Sequence, residues 1–215
     1  MKSNFLLILC IIFVSCRNNN QNNNISDEYK LIKVQAMVRE MDSLYKIHNG
    51  PDFFRVAKEY SNEFPELYAG WCSLGSYYLY FEKNDSLAEY YTRKAISIDP
   101  KGYSSLQNLG VIFNKRKQYD SADIYYQKSI LYKPNYGVAY SNLAGNRYQM
   151  GDFENAVKYA EIAVQLDNDT LDQAELSVYY GKCNRKGKVD SMLKVLADEK
   201  FSRINKIREL VGDTN

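Results

Sequence analysis

A code of large and small residues that returns every 34 positions constrains this chain more than anything else in it. Leu106, Leu109, Gly110, Ala122 and Ser129 become, one step later, Tyr140, Leu143, Ala144, Ala156 and Ala163. Pro100 and Pro134 stand at the same interval. Leu106, Leu109, Gly110 and Phe113 share one face of a first helix, and Ala122, Tyr126 and Ser129 share one face of a second. Gly110, Ala122 and Ser129 are small, so two helix backbones are expected to approach closely there. Pro134 ends the second helix and begins the next unit, because a proline disfavours helix in the residue before it. One such hairpin cannot bury its own apolar stripe, so each must lean on a neighbour.

This period and code resemble the tetratricopeptide repeat (TPR). The resemblance spans roughly residues 50–200. It implies an all-α fold, a right-handed α-α superhelix or TPR solenoid, with about four helix-turn-helix repeats and a C-terminal capping helix. Residues 68–101, 103–136 and 137–170 read as three repeats and 171–200 as a divergent fourth. Residues 28–65 read as a divergent N-terminal helix pair and 201–212 as the capping helix.

Three details support the outer units. In the first clear repeat Trp71, Leu74, Gly75 and Tyr78 carry the first-helix code, and Ala88, Ala95 and Pro100 the second. Asn84 or Asp85 is placed to cap its second helix. Gly151 suits a left-handed turn residue in the third. A helix expected over residues 26–47 carries an apolar stripe of Ile32, Ala36, Met37, Met41, Leu44 and Tyr45. Thr170 with Gln173 reads as a capping box. Leu176, Tyr179, Tyr180 and Cys183 form the face of the last first helix, where bulky Tyr180 and, in the second helix, Met192 require the packing to shift. Ile204, Ile207 and Val211 form one face of the capping helix, which Gly212 ends.

The amino terminus carries a separate message. Lys2 precedes an apolar run at residues 5–14, too short to span a bilayer and suited to an export signal. The run leads into Val14-Ser15-Cys16. This resembles a bacterial lipoprotein signal, with Phe13 where the pattern usually has Leu. It implies a signal peptide at 1–15, lipid on Cys16, and a membrane-anchored protein of the bacterial cell envelope, periplasmic or at the outer membrane. Residues 17–24, R-N-N-N-Q-N-N-N, read as part of a disordered linker over 16–27, since they offer nothing to bury. Cys72 and Cys183 sit about three repeats apart, too far for a disulfide, and are expected to be unpaired and mostly buried.

The totals exclude several functions. With 28 Lys plus Arg against 26 Asp plus Glu, there is no basic excess to suggest nucleic acid. His48 is the one histidine and it falls in a turn, so neither a histidine triad nor a multi-histidine metal site is possible. Phosphate-cradling glycine motifs are absent. Paired acids such as Glu63 with Glu66 sit at helix ends, where capping explains them. The chain is therefore expected to be no enzyme and to need no cofactor.

In a TPR array the first helices line a groove. Groove positions here include Cys72, Ser73, Ser76 and Tyr80, then Gln107, Asn108, Val111, Asn114 and Lys115, then Ser141, Asn142 and Tyr148. Asn108 and Asn142 share a repeat position from which, in related proteins, an asparagine holds the main chain of an extended peptide; an amide both donates and accepts. They can equally bond to neighbouring helices. The family's clamp for a free carboxyl terminus is not matched, since Cys72 and Gln107 stand where its lysine would. The expected role is a lipid-anchored scaffold binding a protein partner through Asn108, Asn142, Gln107, Ser141, Asn114, Tyr148, Ser76 and Tyr80. Twenty tyrosines leave a second possibility, a groove for glycans or small ligands, and a third is a structural subunit that uses its outer surface.

Overall fold

The protein, described here by a computed structural model over residues 21–167, 170–198 and 204–211, is built of helices in pairs. Eleven are described: α1 (Gln21–Lys46), α2 (Gly50–Glu63), α3 (Tyr68–Tyr80), α4 (Asp85–Ile98), α5 (Tyr103–Lys115), α6 (Tyr119–Tyr132), α7 (Gly137–Gln149), α8 (Phe153–Asp167), α9 (Thr170–Lys182), α10 (Lys186–Asp198) and α11 (Ile204–Val211). There is no strand among the described residues. The expected export signal at 1–15, Cys16, residues 17–20, Phe201, Gly212 and the side chain of Thr170 lie outside what is described. No described helix is long and apolar enough to cross a membrane.

Prolines punctuate the array. Phe64, Asp99 and Lys133 each precede a proline, and each leaves the helical region, at φ −127°, −130° and −140°. The fourth proline, Pro51, sits in the first turn of α2, where no backbone N–H is needed. Asn49 accepts from Asp52 N at 3.3 Å and Asn84 from Leu87 N at 3.1 Å, closing the N-termini of α2 and α4.

Between the two helices of each pair the turn holds one left-handed residue: His48, Lys83, Lys117, Gly151 and Asn184. Glycine occupies that place only at Gly151, so the sequence announced one of the five.

The core is a string of small clusters, each shared by successive helices. Phe53, Val56, Ala57 and Tyr60 of α2 meet Met37, Met41, Leu74 and Tyr77. Leu79, Ala88, Leu109 and Ile112 follow, then Ala122, Tyr126 and Leu143. The last cluster joins Val157, Leu176, Tyr179, Tyr180 and Leu193, with Ile204, Ile207 and Val211 of α11 laid against it. Stability therefore comes from nearest neighbours, as in other solenoids. Successive first helices touch, α3 with α5 and α5 with α7, while α4, α6 and α8 make no comparable contact with one another. First helices thus form the inner wall and second helices the outer one.

Several expectations need correction. Helix α1 begins at Gln21, inside the stretch read as a linker. Its buried stripe runs through Val34, Met37, Val38, Met41 and Leu44, whereas Ile32 is 59% exposed and Ala36 is exposed too. The stripe is rotated because α1 packs on α2 alone among its substantial contacts, so a narrow face suffices. The space opened by Gly110 is filled by a ring, not a backbone: a β-carbon there would lie 2.5 Å from Tyr126 Cε1. Backbone approach does occur at Gly70, where a β-carbon would meet Ser61 N at 2.8 Å. Tyr180 fits by donating to Glu161 Oε1 at 2.6 Å, and Cys183 is half-buried rather than buried.

Left-handed backbone costs a side-chain-bearing residue about 1–2 kcal/mol, partly offset by the greater freedom of glycine in the unfolded chain. Neither Lys83 nor Lys117 has a partner among the described residues that its replacement would remove. We expect Lys83→Gly with Lys117→Gly to raise the melting temperature by about 2–6 °C in a thermal scan, and Gly151→Lys to lower it.

Candidate inner-face binding site

Most of the residues assigned to the groove face other first helices. Asn108 is buried and donates through Nδ2 to Ser76 Oγ at 2.8 Å, with Cys72 Sγ at 3.8 Å. Gln107 is buried too and accepts from the Tyr136 hydroxyl at 2.6 Å. Asn114 donates to Asn146 Oδ1 at 2.8 Å, and Ser141 to Asp172 Oδ1 at 2.6 Å. Tyr148 stacks on Tyr179 with ring centroids 5.0 Å apart. Lys115 pairs with Asp85. The bonds run α5 to α3, α5 to the start of α7, α5 to α7, and α7 to α9. They stitch the inner wall together, one repeat to the next.

Behind the stitches lies a polar network that sequence reasoning missed. Asn146 has no exposed surface and donates to Tyr119 O at 2.9 Å. Arg147 Nη2 donates to Asp123 Oδ2 at 2.6 Å, as does Gln127 Nε2. Arg147 Nη1 reaches Asp152 Oδ2 at 3.3 Å, and Asn155 Nδ2 reaches the same oxygen at 2.8 Å. Bonds from Asn155, then the charge of Arg147, hold the Asp152 carboxyl below its usual range. The network joins α5, α6, α7 and α8. A signal was present: one step of 34 from buried Ile112 lands on Asn146, a polar residue at an apolar position.

What the stitching leaves open is smaller and aromatic. Asn142 is half-buried and has no partner among the described residues. Tyr80, at the end of α3, is 37% exposed, and Tyr45 of α1, also missed as a site residue, is 40% exposed. Their rings meet edge to face at 6.0 Å. Neither hydroxyl has a partner among the described residues. Tyr136 and Tyr103 meet edge to face at 5.0 Å, and the Lys133 ammonium lies 4.3 Å from the Tyr103 ring centre.

Burial lifts the Tyr45, Tyr80 and Tyr136 phenols above their ordinary range, and for Tyr80 and Tyr136 neighbouring phenols and the Cys72 thiol add to it. No group of three His, Cys, Asp or Glu residues among those described is placed to hold a metal.

With this geometry in hand, the likeness to known proteins is specific about fold. A tetratricopeptide repeat model matches residues 103–136 and 138–170. No curated protein sequence is similar enough to count as a relative. Among solved structures, that of Pseudomonas aeruginosa pilF is 17% identical and superposes over 83% of this chain and 84% of that one, with a TM-score of 0.67. The Cut9–Hcn1 hetero-tetramer of the APC/C is 16% identical and matches over 89% of this chain but 40% of that one, at 0.73. MamA is 18% identical over 79% of this chain and 94% of that one, at 0.53.

The chain carries tetratricopeptide repeats and folds as a TPR solenoid. That fold serves in general as a scaffold for protein–protein interaction.

Asp123→Ala should destabilise the protein by about 2 kcal/mol in urea unfolding, because it leaves the Arg147 guanidinium partly buried beside a vacancy. Asn146→Leu should cost about 1–3 kcal/mol. Made together they should cost less than the sum by at least about 0.5 kcal/mol, since both break one network.

Proposed function

We propose that this protein is a lipid-anchored scaffold of the bacterial cell envelope, holding an extended segment of a partner protein against its inner wall. One observation carries the binding half of that reading. The first helices are fastened to one another through Asn108, Asn114 and Ser141, so the wall they make is rigid before anything binds. A preorganised surface loses little entropy on association. On it, Asn142, Tyr80 and Tyr45 remain uncommitted and within reach of a ligand.

The asparagine ladder is reassigned within this reading. Asn108 spends its amide N–H on Ser76 and serves the wall. Asn142 is the rung that meets the partner's main chain. Gln107, Asn114, Ser141, Ser76 and Tyr148 shape the surface, and Tyr80 is a direct contact.

The anchoring half rests on the sequence of residues 1–16. A short apolar run ending in Val14-Ser15-Cys16 fits lipid attachment at Cys16, and several acyl chains on one residue hold firmly where one chain holds marginally. The structurally similar pilF is a Pseudomonas aeruginosa protein, which accords with a bacterial setting for such a solenoid.

Two experiments test the halves separately. A photo-crosslinking residue in place of Asn142 should capture a partner in intact cells, while the same residue in place of exposed Ile124 on α6 should not. Capture from Ile124 alone would mean that the outer surface is the one used. Cys16→Ala should move the protein from the membrane to the soluble fraction, and unchanged fractionation would refute the anchor.

A further inference from the structure

We propose that an exposed stripe on the first half of α1, made by Tyr29, Ile32 and Ala36, lies on the membrane surface beside the lipid of Cys16. This rests on the anchor reading above and says which face of the solenoid the anchor turns to the bilayer.

The stripe is apolar and open. Tyr29 is 65% exposed and Ile32 59%, and Ala36 is exposed with them. Spaced three and four apart, they share one side of the helix. Leu31, also exposed, flanks them. It is the side away from Met37 and Met41, which are buried in the cluster shared with α2. Among the described residues α1 makes its substantial contacts with α2 alone. Past Ala36 the same side turns polar, with Arg39, Glu40, Ser43 and Lys46 exposed. Tyr45 is turned onto Phe53, Tyr80 and Phe81, and exposed Ile47 belongs to the turn that follows α1. The open apolar surface of the helix is thus at the end nearest Cys16.

Charge does not select the occupant. Lys30 pairs with Glu66 and Lys33 with Glu63, so the nearest cations are committed inward. Glu28 and Arg39 border the stripe with opposite signs. What remains is apolar surface, and its counterpart is apolar too.

Chain length says which apolar surface that is. Five residue steps separate Cys16 from Gln21, where α1 begins, and in any conformation they reach at most about 18 Å. Eight helical steps more, about 12 Å, lead to Tyr29. Lipid on Cys16 therefore keeps the stripe within about 30 Å of the bilayer, at a high effective concentration. A second copy fits less well. The stripe runs along about 11 Å of helix, while a stable dimer needs about 800 Å² from each partner. A tethered surface needs less, because its contact is made within one assembly. Tyr29 suits the place, since its ring can enter the acyl boundary while its hydroxyl stays among the headgroups. Helix α1 then lies between the bilayer and α2, and the solenoid is held in one orientation.

The test uses the lipid-bearing full chain in phosphatidylcholine vesicles, with and without bromine on the acyl chains. Bromine quenches tryptophans that enter the acyl boundary. The parent, whose one tryptophan is Trp71, gives the baseline. In Ile32→Trp the added emission should fall about twofold or more with brominated lipid, as for a side chain set about 5–10 Å into the interface. In Ile124→Trp, on the outer face of α6, the added emission should not change. Ala36→Trp should be quenched as well. Adding Tyr29→Ser and Ile32→Ser should abolish that quenching and leave the circular dichroism spectrum unchanged.

No quenching at Ile32, or equal quenching at Ile32 and Ile124, overturns the proposal. So does a blue shift of the Ile32→Trp emission that grows with the number of chains per vesicle and ignores bromine, since a second copy then covers the stripe. In each of these cases the chain still sediments with the vesicles, so the anchor stands and only this face falls. If Cys16→Ala leaves fractionation unchanged, the anchor falls and this reading falls with it.

Discussion

The whole array depends on how closely one helix can lie against the next. The residues that decide it are small and recur by the same step. Ala88, Ala122 and Ala156 stand 34 apart, and so do Ala95, Ser129 and Ala163. All six have no exposed surface. With no free surface at these places, an added methylene would overpack the contact. Ser129 shows the register well: its hydroxyl donates to Tyr103 O at 2.9 Å, at the first residue of the paired helix. Where the small residue is glycine a ring takes up the room, as Tyr126 does over Gly110, and where a bulky residue replaces it a hydroxyl finds a partner, as Tyr180 does in Glu161.

That dependence explains which parts of the structure were legible. Periodicity reports burial averaged over repeats, so the hairpins, their prolines and their small residues could be read directly. The all-α solenoid followed from them. Helix α1 has no earlier helix among the described residues to lean on, and its neighbour covers only one narrow side. Its hydrophobic pattern therefore admits more than one stripe, and Ile32 and Ala36 were placed on the wrong one. Left-handed turn residues were visible only where glycine marked them, because Lys83 and Lys117 accept the strain without leaving a compositional trace.

The inner wall was harder to read for a different reason. A polar residue on a first helix looks alike in sequence whether it faces solvent or a neighbouring helix. Asn108 and Asn142 are equivalent by repeat, yet one is buried against Ser76 and the other is open. Their difference comes from the next helix along. Ser76 offers Asn108 a hydroxyl partner, while the repeat position facing Asn142 holds Val111, which offers no polar atom. Repeat equivalence predicts place in the array. Partner identity, set one unit away, predicts use.

A wall fastened in this way also divides its labour along its length. The polar network of Asn114, Asn146, Asp123 and Arg147 links α5, α6 and α7 and holds the middle of the array at fixed spacing. Towards the amino-terminal end, Tyr45 on α1 and Tyr80 on α3 keep part of their rings exposed. Helix α1 is joined to the rest mainly through α2, by packing and by ion pairs such as Lys33 with Glu63. The two parts of the array are therefore held differently, the middle by polar bonds between first helices and α1 by apolar packing and surface charge.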